Sequence, residues 1–206
     1  DGAYPPMIPL LTEGLRHLTD PVTALRLIAI GSFLAVLVGV YLVARDGLGP
    51  WFGLAALATV GQASALTEPT AFGGYPQQLA FACLMIGAWG VARALARGET
   101  RWYVVAGAAL TGAALAHHVY YPLALGTAGL VWVLWLTTGP PAPVTVRRSL
   151  WLALPVATSL AAFAPTALAF FGDGYAPPLD TSGLGFWDAF QYSTREASWL
   201  WLLITL

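Results

Sequence analysis

The sequence has no lysine, one cysteine and few charges, with 9% of its 206 residues charged and a formal net charge of -1. A soluble domain carries about 25% charged residues, so an ordinary water-soluble fold is excluded. Its nine basic residues are all arginines, scattered in ones, twos and threes, and they form no dense basic face. Nucleic acid is therefore excluded as a partner. A single cysteine closes no internal disulfide. Cys83 lies in the apolar run 79–88, where a thiol reads as a small packed side chain.

What is present is hydrocarbon, at 58% of residues. A bilayer core is crossed by about 20 apolar residues rising 1.5 Å each. By that ruler the sequence predicts helices A (22–44), B (51–66), C (76–95), D (102–118), E (121–137) and F (149–171), and a seventh, G, cut off within 197–206. Runs this long are helices rather than barrel strands of about ten alternating residues. The expected fold is all-α: a polytopic transmembrane bundle of six complete spans and a truncated seventh. Residues 1–21 form an outer juxtamembrane segment with its own helix, and 172–196 an outer loop. The chain starts at Asp1 without an initiator methionine and stops inside an apolar run, which predicts an internal piece of a longer, single membrane domain.

Every second connection is basic. Arg45 follows A, Arg93, Arg97 and Arg101 flank the C/D junction, and Arg147 and Arg148 precede F. Short cytoplasmic loops collect arginine, so these face the cytoplasm. The other connections hold eight of the ten acids and all three histidines, which puts any chemistry on the extracytoplasmic face. Segments B, D and E are short, which predicts outer ends recessed into a vestibule. Pro76 and Pro122 stand where helices would start, aiming two N-termini at that vestibule, a setting suited to an anion such as phosphate.

Several residues there could carry chemistry. Glu68 precedes Pro69 near the lipid boundary, where an ionisable group points to function; the plainer reading is a solvated carboxylate at a helix end. His117 and His118, about 100° apart at the end of D, cannot both face lipid. An imidazole moves protons near neutrality or binds a metal, and Glu68 or Asp173 could complete such a site, leaving room for a divalent cation. Their spacing matches no metal-ligand signature. Tyr75, Tyr120, Tyr121 and the cluster Phe186, Trp187, Phe190 and Tyr192 read first as an interfacial aromatic belt, and second as a platform for a sugar or lipid chain. Arg26 and Arg195 either snorkel or hold a phosphate.

The stretch Tyr4-Pro5-Pro6-Met7-Ile8-Pro9-Leu10-Leu11-Thr12-Glu13 onward to Pro21, then Ala24-Leu25-Arg26-Leu27 and Tyr41-Leu42-Val43-Ala44-Arg45, resembles the GT-C superfamily of membrane glycosyltransferases. The nearest branch is that of the protein mannosyltransferases and lipid A aminoarabinose transferase. A weaker likeness covers Glu68 to Gln77 and Ala116-His117-His118, positions that border the donor pocket in such enzymes. The resemblance implies transfer of a sugar from a polyprenyl-phosphate donor to an envelope glycan, lipid or protein acceptor outside the cell membrane. It implies Asp1, Glu68, His117 and His118 in or beside the catalytic centre. Tyr75, Tyr121, Arg26, Asp173, Arg195 and Trp187 would contact substrate. The Asp-Glu pair typical of the family would lie upstream of Asp1, and histidines stand where relatives often carry a lysine. A transporter, or a structural membrane subunit, is the alternative.

Overall fold

The computed structural model describes residues 6–62, 74–138 and 142–171. The chain divides into two units, 1–170 and 171–206, and the described helices belong to the first. They are α1 (Met7–Leu15), α2 (Pro21–Leu48), α3 (Pro50–Gly61), α4 (Tyr75–Arg97), α5 (Thr100–Ala116), α6 (Tyr120–Thr138) and α7 (Ala142–Phe171), and the described residues contain no strand. The all-helical expectation and the short leading helix α1 both hold.

Local chemistry sets the boundaries. Asp20 caps α2 by accepting the N–H groups of Val22 and Thr23 at 3.0 and 3.1 Å, with Pro21 at the first helical position. Pro50 and Pro76 stand at the first and second positions of α3 and α4, which start without a side-chain cap. Gly98 ends α4 in the left-handed region, φ 70°. The orphan carbonyls there are taken by a distant side chain: Arg148 Nη1 donates to Leu95 O at 2.6 Å and to Ala96 O at 2.7 Å.

Four helices are long and apolar enough to cross a membrane: α2, α4, α6, and α7 over Val144–Leu168. Two of the six expected spans fall short of that. Among the described residues the run expected at 51–66 carries the 12 residues of α3, about 18 Å, and the helix expected at 102–118 is the 17-residue α5, about 25 Å, against a hydrocarbon core of about 30 Å. The last described helix starts at Ala142 rather than 149, which draws Arg147 and Arg148 into its first turns. On α2, Ile30, Leu34 and Val38 form an exposed apolar stripe, and Trp51 on α3 is exposed as well. Such faces are at home in lipid, and the chain is built as a membrane-embedded bundle.

Packing fixes the relative directions. α4 and α5 are antiparallel and close: a Cβ on Gly90 would lie 3.0 Å from Ala106 N, and one on Gly87 3.6 Å from Ala109 Cβ. Small residues let these backbones approach. α2 runs parallel to α4, with Gly39 against Met85 and Asp46 bonded to Trp89 and Arg93. α7 runs back along α6, with Trp132 bonded to Ser149 and Tyr121 to Ser159. These registers gather Arg45, Arg93, Arg97, Arg101, Arg147 and Arg148 at one end of the bundle. The histidine turn between α5 and α6 lies at the other.

Candidate functional site

Three residues join α5 to α6. His117 has extended backbone (φ -159°, ψ 125°), yet its N–H still donates to Ala113 O and its carbonyl accepts Tyr121 N–H, both at 3.1 Å. One residue thus closes one helix and opens the next. Its ring folds back so that Nδ1 accepts the Val119 N–H at 3.2 Å, which assigns the ring proton to Nε2.

The two imidazoles stack, with centroids 4.9 Å apart and planes 11° from parallel. Tyr120 meets His117 edge-on at 5.3 Å, and Phe81 of α4 meets Tyr120 at 6.4 Å. His117 is only 6% exposed, and His118 is half-buried. Burial, and secondarily the neighbouring imidazole, lower His117 to about 4, and burial lowers His118 below its usual value. Both rings are neutral at pH 7. They offer a donor and an acceptor for proton handling and supply no positive charge to a phosphate.

The start of α4 shares this end. Tyr75 is half-buried in its first position, next to Pro76. The α4/α5 register brings the end of α5 to the level of Gln78, an amide only 2% exposed. Sequence reasoning passed over Gln78; a polar residue in the first turn of an otherwise apolar helix was the available signal. Arg26 is exposed on α2 at the same end. Tyr121, expected as a substrate contact, is 1% exposed, with its hydroxyl 2.9 Å from Ser159 Oγ and its ring 4.6 Å from that of Phe163. It is committed to packing α6 on α7. Asp1, Glu68, Asp173, Trp187 and Arg195 lie outside the described residues. Among the described residues no three of His, Cys, Asp and Glu come together to hold a metal ion.

An apolar cavity of about 620 Å³ runs between α5 and α7. Its wall includes Thr100, Gly107, Thr111 and Leu115 on α5 and Leu154 and Pro155 on α7, with Met7 of α1 beside it. Thr100 to Leu115 spans about 22 Å. The last wall residue, Leu115, stands two positions before His117.

Comparison with protein family models, with curated proteins and with solved structures finds no match to this chain.

Proposed function

We propose that the chain is the membrane-embedded part of a GT-C-like glycosyltransferase that moves a sugar from a polyprenyl-phosphate donor to an acceptor on the extracytoplasmic side. One observation carries the reading: a lipid-length apolar groove along α5 leads to a neutral, stacked histidine pair at the end of the bundle opposite the arginines. A donor that is half hydrocarbon and half phosphosugar needs that succession of surfaces. The likeness of residues 4–45 to the GT-C pattern agrees with it.

In this proposal the polyprenyl chain lies in the groove, and the phosphate meets the N-terminal end of α4 and Arg26. Glu68 takes the proton of the acceptor hydroxyl as its oxygen bonds to the sugar's anomeric carbon and the bond from that carbon to the phosphate oxygen breaks. His117, with its proton on Nε2, donates a hydrogen bond within the pocket. A divalent cation joins only if carboxylates outside the described residues complete its ligands.

The test uses the full-length protein, supplied with a radiolabelled polyprenyl-phosphate sugar. Glu68→Gln and the double variant His117→Ala/His118→Ala should each lower turnover by about 10²-fold or more, with insertion into the membrane intact. Unchanged turnover in both variants removes these residues from the site. Absence of turnover by the unaltered protein with any polyprenyl-phosphate sugar overturns the reading.

A further inference from the structure

The arginine end holds a second arrangement that glycosyl transfer does not use. Among the described residues it carries six arginines against two carboxylates, Asp46 and Glu99, an excess of four positive charges. The histidine end has Arg16 and Arg26 against Glu13 and Asp20 and balances. Asp46 is already committed, since it accepts Trp89 Nε1 at 2.6 Å and pairs with Arg93 and Arg45. Glu99 takes Arg101 at 2.6 Å, which leaves Arg97 at 3.9 Å.

The surplus charge converges on one ring. The guanidinium carbons of Arg93, Arg97 and Arg101 lie 5.8, 6.0 and 5.0 Å from the centroid of Trp102. Arg93 and Arg97 come from the last turns of α4 and Arg101 from the start of α5, brought together by the tight turn at Gly98. An indole face attracts each cation, but three like charges around it repel one another, and Asp46, which is shared with Arg45, and Glu99, which is shared by Arg97 and Arg101, do not neutralise them in full. The corner is short of an anion. Beside Arg93 a cavity of about 400 Å³ opens between α2, α4 and α6, walled by Val43, Ala88, Ala92, Ala96 and Val131 and lined also by Trp89 and by Asp46, whose carboxylate is paired with Arg45 and Arg93. Polar, cationic groups above and hydrocarbon walls below match an amphiphile, and the site stands at the end of a spanning helix, where headgroups are.

We propose that the Trp102 corner, with Arg97 and Arg101 as its forks, binds the phosphodiester of an anionic bilayer phospholipid, one acyl chain of which lies in the cavity beside Arg93. Guanidinium forks suit phosphate oxygens, and basic pockets between helices hold anionic headgroups. The proposal rests on the bundle being membrane-embedded and is independent of sugar transfer.

The experiment counts lipid adducts on the full-length protein by native mass spectrometry in neutral detergent, with phosphatidylglycerol titrated against phosphatidylcholine. Phosphatidylglycerol should be preferred by about ten-fold or more. Arg97→Gln/Arg101→Gln should abolish the preference. Arg16→Gln/Arg147→Gln, which removes equal charge away from Trp102, should change it less than about two-fold. Arg97→Lys/Arg101→Lys keeps the charge and loses the forks, and should weaken the preference several-fold even if the glutamine pair fails to fold. Equal binding of the two lipids, equal losses in both glutamine pairs, or a lysine pair as selective as the unaltered protein would each overturn the proposal.

Discussion

The imidazole of His118 lies face to face on that of His117, 11° from parallel. Two cations would not stack in this way in a half-buried turn, and burial lowers the pKa of both rings, so the pair stands uncharged at neutral pH. It places an uncharged imidazole pair at the junction of α5 and α6, and it ties the junction's fold to the protonation state of His117.

That tie has a direction in pH. Above about pH 6.5 His117 is neutral folded or unfolded, and it contributes no pH dependence. As pH falls through about 6.5 the unfolded chain takes up a proton that the folded ring refuses until about 4, so stability is lost across that window, by up to about 3 kcal/mol. Thermal unfolding in detergent should show Tm falling steadily from pH 7 to pH 4.5. His117→Asn, which keeps an acceptor for the Val119 N–H, should flatten the fall. A Tm that does not move with pH in the unaltered protein would contradict the neutral, buried assignment.

Gly90 is where α4 meets the backbone of α5, and an added methyl would stand 3.0 Å from Ala106 N and 3.2 Å from its Cα. Backbone cannot yield as a side-chain tip does. Gly90→Ala should therefore cost about 1–3 kcal/mol, read as a lowered Tm and reduced yield of folded protein. Gly126→Ala, with nothing within 4 Å, should be neutral or slightly stabilising. Equal behaviour of the two variants would mean that the α4/α5 contact is looser than described.

Tyr121 and Ser159 form a buried chain, because the serine hydroxyl donates to Val156 O at 2.9 Å and so accepts from the tyrosine. Tyr121→Phe removes the donor and leaves Ser159 still bonded, at a cost of about 1 kcal/mol. Ser159→Ala leaves the phenol hydroxyl buried without its partner and should cost more, about 1–3 kcal/mol. Chemical denaturation of the two variants checks the order. If Tyr121→Phe is the more damaging, or if it instead lowers sugar transfer at unchanged stability, the packing role is wrong.

Much of the fold was legible because its signals are local. Pro76 marked a helix start, since a proline in the first turn forfeits no hydrogen bond, and Pro21 and Pro50 act alike. The alternation of arginines revealed the two ends of the bundle, because short antiparallel connections return every second one to the same end. The site was legible only in part. Periodicity does not say where an apolar run stops being helix: α5 ends at Ala116, and His117 is extended inside a run that reads as helix to 118. Nor does it separate Tyr120 from Tyr121: about 100° of helix sends one ring to His117 and the other to Ser159. The Asp46 network is invisible in one dimension, since its partners Trp89 and Arg93 are 43 and 47 residues away and meet only through the parallel packing of α2 on α4.

The central claim is that the histidine turn faces the extracytoplasmic compartment while the arginine end faces the cytoplasm. Single cysteines at Val119 and at Arg147, both exposed, can be introduced into the Cys83→Ala background of the full-length protein and treated in intact cells with a membrane-impermeant maleimide. The account predicts labelling at 119 in intact cells and at 147 only after permeabilisation. Labelling of both positions from the same side, or the reverse pattern, would contradict it.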